Sequence, residues 1–345
     1  LEGALRAVVT ERMLHPDRLA VAVGDLAVRQ GRVGLDFVQR VLARGDSEPL
    51  APGDSRFTDR AWQENPFLRG VAESYLTSVA WAGELLDAAA VSERVRQQAR
   101  FSLRMALDAV APSNVPWTNP RVVKEAYDTG GGSVIAGFRN FLDDLAHNGG
   151  RPRQVDASGF ELGRNLAATP GRVVFRNDLI ELLAYEPQTE LVHAQPILCS
   201  PPWINKYFIM DLAPERSFVE YAVRHGFTVF MISYRNPDAS MASTTWDDYL
   251  RFGLLAAMDQ VLALSGSDVV NLVGLCLGGT MSTVGLAYLA AHGLSERVAW
   301  MTVTNTLVNF SVPGDLGVFT DEADISKLER AMRKEGFLAG SQLAQ

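Results

Sequence analysis

A cysteine stands between two glycines in NLVGLCLGGTMSTVGLAYLAAHG, residues 271–293. The apolar run VVNLVG before it reads as a buried strand, and TMSTVGLAYLAA after it reads as a helix. A tight strand-to-helix turn pushes a side chain out at the edge of a sheet, and the start of a helix favours a thiolate over a thiol. Cys276 is therefore placed to act as a nucleophile. Gly274 and Gly278 are expected to leave room, because a side chain at either position would crowd strand or helix. The backbone N–H of Leu277 is expected to point at the same spot and to hold a developing oxyanion. The pattern is Gly-x-Ser-x-Gly with cysteine in the serine's place. Cys199, the only other cysteine, lies inside the apolar run PILCS and reads as an inert core thiol.

A thiol that attacks a thioester exchanges one thioester for another at nearly equal free energy, whereas serine would form an oxygen ester in a downhill step. The residue type thus suits acyl transfer from a substrate such as acyl-CoA. The same chemistry wants a histidine base and a carboxylate to orient it. The chain has five histidines. His15 and His147 belong to a helical region. His193 and His225 precede apolar runs, and His292 ends the helix that follows Cys276. Strand starts and crossover-helix ends lie at the sheet edge opposite the turn, so these three stand on the wrong side. The chain opens on Leu1 and stops at Gln345 without a closing element. Either the chain is a fragment that lacks part of its catalytic triad, or the nucleophile reading is wrong.

Two further loops belong to the edge that carries the turn. SPPWINK follows the strand expected beside the cysteine strand and would supply a second oxyanion N–H. Trp203, Ile204 and Asn205 are all candidates for that loop's contribution to oxyanion or substrate binding, and Trp203 equally suits packing of the loop. SYRNPD leaves the next strand. Asn236 is a candidate substrate contact, although Arg235, Asn236 and Asp238 better fit an Asx-Pro turn held by its own hydrogen bonds. Asp247 and Asp248 read as helix capping. No metal-ligand spacing appears, and no cofactor is expected.

The elements that position these residues fall into two regimes. As far as about Arg164 the pattern is helical. Leu68, Val71, Tyr75, Val79, Ala82 and Leu86 make one apolar face, and Val95, Ala99, Leu103, Ala106 and Val110 make another. APSNVPWTNP ends the second helix, and TGGGS breaks a later one without the Gly-Lys-Ser/Thr of a phosphate loop. From Pro170 the period changes to short apolar runs that alternate with helices. That order predicts a mostly parallel sheet covered on both faces. The domains are expected at 1–165 (helical), 166–317 (α/β core) and 318–345 (the start of a cap).

Of the 345 residues, 21% are charged, and the net charge of -8 excludes a general nucleic-acid binder. Lys327, Arg330, Arg333 and Lys334 read as the solvated face of a helix. Two cysteines make no disulfide framework, so a reducing, cytoplasmic compartment is expected. No secretory pattern and no transmembrane run is present.

The segments FTDRAWQENPF, APSNVPWTNP, GRNLAATPGRVVFRNDLIELLAYEP, PPWINKYFIMDLAPERSFVEYAVRHGF, SYRNPD, TTWDDYL and GLCLGGT occur in this order from about Phe57. In them the chain resembles the polyhydroxyalkanoate (poly-3-hydroxybutyrate) synthases, and its long helical part resembles the single-component type. The resemblance implies an α/β-hydrolase core behind a helical domain. It implies polymerisation of (R)-3-hydroxyacyl-CoA with release of CoA, and Cys276 as the residue that carries the growing chain. It places the family's aspartate and histidine beyond Gln345, and Asn309 where many relatives carry aspartate. It further implies a homodimer at the surface of polyester granules. A cysteine-dependent acyl-CoA thioesterase and a non-catalytic granule-binding module are the alternative readings.

Overall fold

A computed structural model describes residues 2–43, 50 and 54–338. The chain divides into two compact units, Leu1–Val155 with Asp315–Thr320, and Asp156–Gly314 with Asp321–Gln345.

The first unit is helical, with α1 (Glu2–Met13), α2 (Pro16–Ala43), α3 (Ala61–Glu64), α4 (Pro66–Asp87), α5 (Glu93–Ala109), α6 (Pro120–Asp128) and α7 (Gly132–His147). Helix starts follow side-chain chemistry. Asn65 and Asn119 accept from the first amides of α4 and α6, and each precedes a proline at N1, where the missing N–H costs nothing. Gly130 and Gly131 take positive φ values of 56° and 85° between α6 and α7, which is why TGGGS separates two helices. Leu86 and Ala99 from the two expected apolar faces are buried together with Ala4 and Val8 of α1. Trp62 and Phe57, edge to face at 5.1 Å, centre a second cluster with Ala72.

The second unit contains β1 (Gly171–Arg176), β2 (Ile180–Tyr185), β3 (Ile197–Ser200), β4 (Asp211–Ala213), β5 (Arg216–Ser217), α8 (Phe218–Arg224) and β6 (Val229–Tyr234). After these come α9 (Trp246–Asp248), a π-helical segment (Tyr249–Leu255), α10 (Ala256–Ser265), β7 (Val270–Leu275), α11 (Leu277–Ala291), β8 (Val298–Thr304) and α12 (Glu322–Glu335). Six strands form one sheet in the order β1-β2-β6-β3-β7-β8. β6, β3, β7 and β8 run parallel, and β1 and β2 join antiparallel.

The apolar runs map onto this order. All of β3, most of β6 and nearly all of β7 are buried, and alternate residues face opposite layers. Leu198, Phe230, Ile232 and Leu272 pack with the π-helical segment, α10 and α11. Cys199, Val229, Met231 and Val273 pack with α8. Coverage on both faces holds for these central strands and fails at the ends. β1 and β8 are largely exposed, with Trp300 of β8 42% exposed. Among the described residues neither outer strand has a second neighbour. The basic group of α12 is exposed, as its helical spacing implies.

Candidate active site

Four parallel strands end at one edge, and the loops leaving β3, β6, β7 and β8 gather there. Between β7 and α11 stands Cys276, with φ 55° and ψ -125°. A side chain in this conformation costs about 1–3 kcal/mol and persists only when its surroundings impose it. Those surroundings are dense. The Cys276 N–H donates to the Thr304 carbonyl at 3.1 Å, and the Cys276 carbonyl accepts from the N–H groups of Gly279 and Thr280 at 2.9 and 3.1 Å. Thr306 Oγ1 lies 2.8 Å from the Thr304 carbonyl and 3.3 Å from that of Cys276, so its one hydrogen serves either oxygen. Thr280 Oγ1 donates to the Leu307 carbonyl at 2.9 Å. The segment after β8 thus clamps the turn after β7.

The glycines of the motif are demanded by close approach. A Cβ on Gly274 would lie 2.4 Å from Gly279 Cα, and one on Gly278 would lie 2.1 Å from the Ser200 carbonyl oxygen. A Cβ on Gly279 would meet Thr306 Oγ1 at 2.1 Å. The first turn of α11 therefore lies directly on the loop that leaves β3.

Cys276 is half-buried, whereas Cys199 is fully enclosed and its thiol is pushed far up by burial. Leu277 and Gly278 open α11, and their N–H groups have no acceptor among the described residues.

On the β3 side, Pro201 and Pro202 are buried while Ile204 and Asn205 are exposed. Lys206 closes the loop at φ 64°, and its Nζ donates to Asn236 Oδ1. Asn236 thereby ties the β3 loop to the β6 loop. Arg235, Asp238 and Ser240 hydrogen-bond among themselves, the turn expected of SYRNPD. Asp248 caps α9 in a reciprocal box with Thr245. A cleft at this edge is lined by Asn177, Arg235, Thr244 and Phe252, and Cys276 is not part of its wall.

Trp203 packs inward. Its ring stacks on Tyr249 at 4.4 Å and 23°, with Trp246 at 5.2 Å and Tyr234 at 5.4 Å. Ser200 Oγ, Trp203 Nε1 and Tyr234 OH are all buried, with Ser200 and Trp203 facing the Tyr234 phenol. Burial raises the Tyr234 phenol well above its ordinary range. No periodicity marks these rings as neighbours, because they come from a loop, a strand end and a π-helical segment. The aromatic content of PPWINK, SYR and TTWDDYL was the available signal.

The unit's three histidines stand away from Cys276. His193 precedes β3 and packs on Phe227 at 4.4 Å. His225 caps the end of α8, with Nδ1 2.7 Å from the Tyr221 carbonyl. His292 follows the far end of α11, with Nδ1 2.8 Å from the Tyr288 carbonyl. Among the described residues no cluster of three His, Cys, Asp or Glu side chains is placed to hold a metal ion. No helix among them is long and apolar enough to cross a membrane.

A mostly parallel sheet with a strained residue between strand and helix is the architecture of the α/β-hydrolase fold, and a family model described as the alpha/beta hydrolase fold matches residues 205–334. A second, described as the poly-beta-hydroxybutyrate polymerase (PhaC) N-terminus, matches residues 53–222. The poly(3-hydroxyalkanoate) polymerase subunit PhaC of Cupriavidus necator is 41% identical over 90% of this chain and 53% of its own length. The poly(3-hydroxyalkanoate) polymerase of Methylorubrum extorquens is 40% identical over 86% of this chain and 50% of its own. Among solved structures, brefeldin A esterase, a bacterial homologue of human hormone sensitive lipase, aligns at 16% identity over 58% of this chain and 56% of its own, with TM-score 0.32. Along most of its length the chain is similar to the poly(3-hydroxyalkanoate) polymerases. It spans about half the length of these two curated relatives.

Proposed function

We propose that the protein polymerises (R)-3-hydroxyacyl-CoA thioesters into a polyester, with Cys276 as the covalent nucleophile. The Cys276 thiolate attacks the thioester carbonyl. The carbon–sulfur bond to CoA breaks, CoA leaves as a thiolate and takes up a proton, and the acyl group stays on Cys276. The hydroxyl oxygen of a second hydroxyacyl group then attacks that carbonyl. An ester bond forms, the bond to Cys276 breaks, and the hydroxyl proton passes to a base. The N–H of Leu277 and one amide of the 203–205 loop hold the oxyanion in each step. None of this unit's three histidines is hydrogen-bonded to Cys276, and the reading takes its base from outside the unit. The product is an insoluble polyester, and the protein is expected to work as a homodimer at the surface of its granules in the cytoplasm.

The observation that carries this reading is a half-buried cysteine held at positive φ at the head of α11, in a chain whose relatives are named polymerases. The test supplies 3-hydroxybutyryl-CoA to the full-length protein. CoA release with insoluble polymer is expected, and neither after Cys276→Ala. Release of free hydroxy acid would make the protein a thioesterase instead. Turnover that survives Cys276→Ala would remove the nucleophile from the account.

A further inference from the structure

The π-helical segment 249–255 touches both walls of the cysteine turn. On one side the Tyr249 ring lies flat on Trp203, and Tyr234 and Trp246 close the cluster. Two residues before Trp203, the Pro201 carbonyl abuts the first turn of α11, 2.4 Å from where a Cβ on Gly278 would stand. On the other side Leu254 fills the space that Gly285 of α11 leaves open, 2.4 Å from an added Cβ. A π turn carries more residues than an α turn and so rotates side chains away from their α-helical directions. Here that places Tyr249 on the β3 loop while Leu254 packs on α11. The Trp203 indole N–H faces the Tyr234 phenol, and the flat stack on Tyr249 covers the indole ring.

We infer that Tyr249 is a positioning residue, which holds the 201–206 loop against the head of α11 so that a loop amide and the Leu277 N–H converge on one oxyanion. This rests on the acyl-transfer reading of Cys276. The experiment compares two reactions of the same sulfur in the full-length protein. Acylation by 3-hydroxybutyryl-CoA, read as first-turnover CoA release, passes through an oxyanion. Alkylation by iodoacetamide does not. Loss of the stacked ring in Tyr249→Ala is expected to slow acylation about tenfold and to change alkylation less than about twofold. Tyr249→Leu, which keeps bulk without a flat ring, should behave alike, and Tyr249→Phe should restore acylation to within about twofold. Acylation and alkylation falling in parallel in both variants, or neither falling, overturns the positioning role. A wild-type protein that releases no CoA overturns the reading of the site itself, and with it the role assigned to Tyr249.

Discussion

Replacing Gly278 by alanine would set a methyl carbon 2.1 Å from the Ser200 carbonyl oxygen and 2.4 Å from that of Pro201. Side-chain carbons essentially never approach within 3.0 Å of such atoms. About 1 Å of movement is therefore required, and the obstacles are backbone. Ser200 is fully buried and ends a strand laddered on both sides, to β6 and to β7. The head of α11 is left to retreat, against a carbonyl of Gly278 that accepts from Ser282 Oγ at 2.8 Å. Overpacking of this kind costs about 1–3 kcal/mol. Alanine's better helix propensity returns roughly 0.8–1 kcal/mol. The net expectation is a loss of about 1 kcal/mol in stability. The effect on chemistry should be larger, because a displacement of about 1 Å at a reacting group lowers rates about a hundredfold.

Urea unfolding of the full-length protein measures the first quantity and first-turnover CoA release the second. Gly137→Ala on α7 is the control. Nothing lies within 4 Å of its added Cβ, so a gain of about 0.8 kcal/mol and an unchanged release rate are expected. Gly285→Ala sits between the two, since the atom 2.4 Å from its Cβ is the tip of the Leu254 side chain. A Gly278→Ala protein as stable as Gly137→Ala, with wild-type CoA release, would refute the argument that close approach fixes the motif's second glycine.

Brief treatment of the native protein with iodoacetamide should label Cys276 and leave Cys199 untouched, because burial both shields the latter and holds it as the thiol. Peptide mass spectrometry decides, and prior labelling of Cys199 would count against the placement of both sulfurs. The Asp238 carboxyl is drawn down to about 2, first by the Ser240 hydroxyl, then by Arg235 and the Ser240 N–H. A depressed carboxylate stabilises the fold above its unfolded value of about 3.8, and that contribution fades as the pH falls toward about 2. The gap in urea midpoint between wild type and Asp238→Asn should thus be constant from neutral pH to about 5 and close below about 4. A gap that instead widened on acidification would invert the sign of the linkage.

The element order was legible because each apolar run had one reading. PILCS, TVFMISY and NLVGL are too short and too uniformly apolar for surface helices, and they became the buried strands β3, β6 and β7. The cysteine turn was legible for a different reason, since its strand, two glycines and helix are contiguous in sequence. Contacts between non-contiguous segments left no such trace. The hold of Thr306 on the Cys276 carbonyl spans 30 residues, and the stacking of Tyr249 on Trp203 joins two loop-like stretches without periodicity. The π-helical segment could not be read either. YLRFGLL has the apolar spacing of an α-helix, and only the packing of Gly253 against Tyr234 and of Leu254 against Gly285 shows what widening the turn achieves. Exposure of β8 was missed because a run such as VAWMTV reads as buried whether or not a neighbour covers it.

Positive φ at a non-glycine residue is a cost that glycine would relieve, so each such residue needs a reason. Five occur among the described residues: Ala167, Lys206, Glu215, Cys276 and Asn305. Three of them, Lys206, Cys276 and Asn305, follow the parallel strands β3, β7 and β8 at one edge. The laddered strand ends there are rigid, and the chain must bend sharply to leave them. Ala167 and Glu215 show that strain alone does not mark a site. At Lys206 the side chain reaches Asn236, and at Cys276 the carbonyl accepts from the N–H groups of Gly279 and Thr280 while the residue stays half-buried. A purely structural turn at position 276 would be served by glycine, which both flanking positions 274 and 278 already use. Retaining a side chain at the one strained position between them is explained if that side chain is the reacting group.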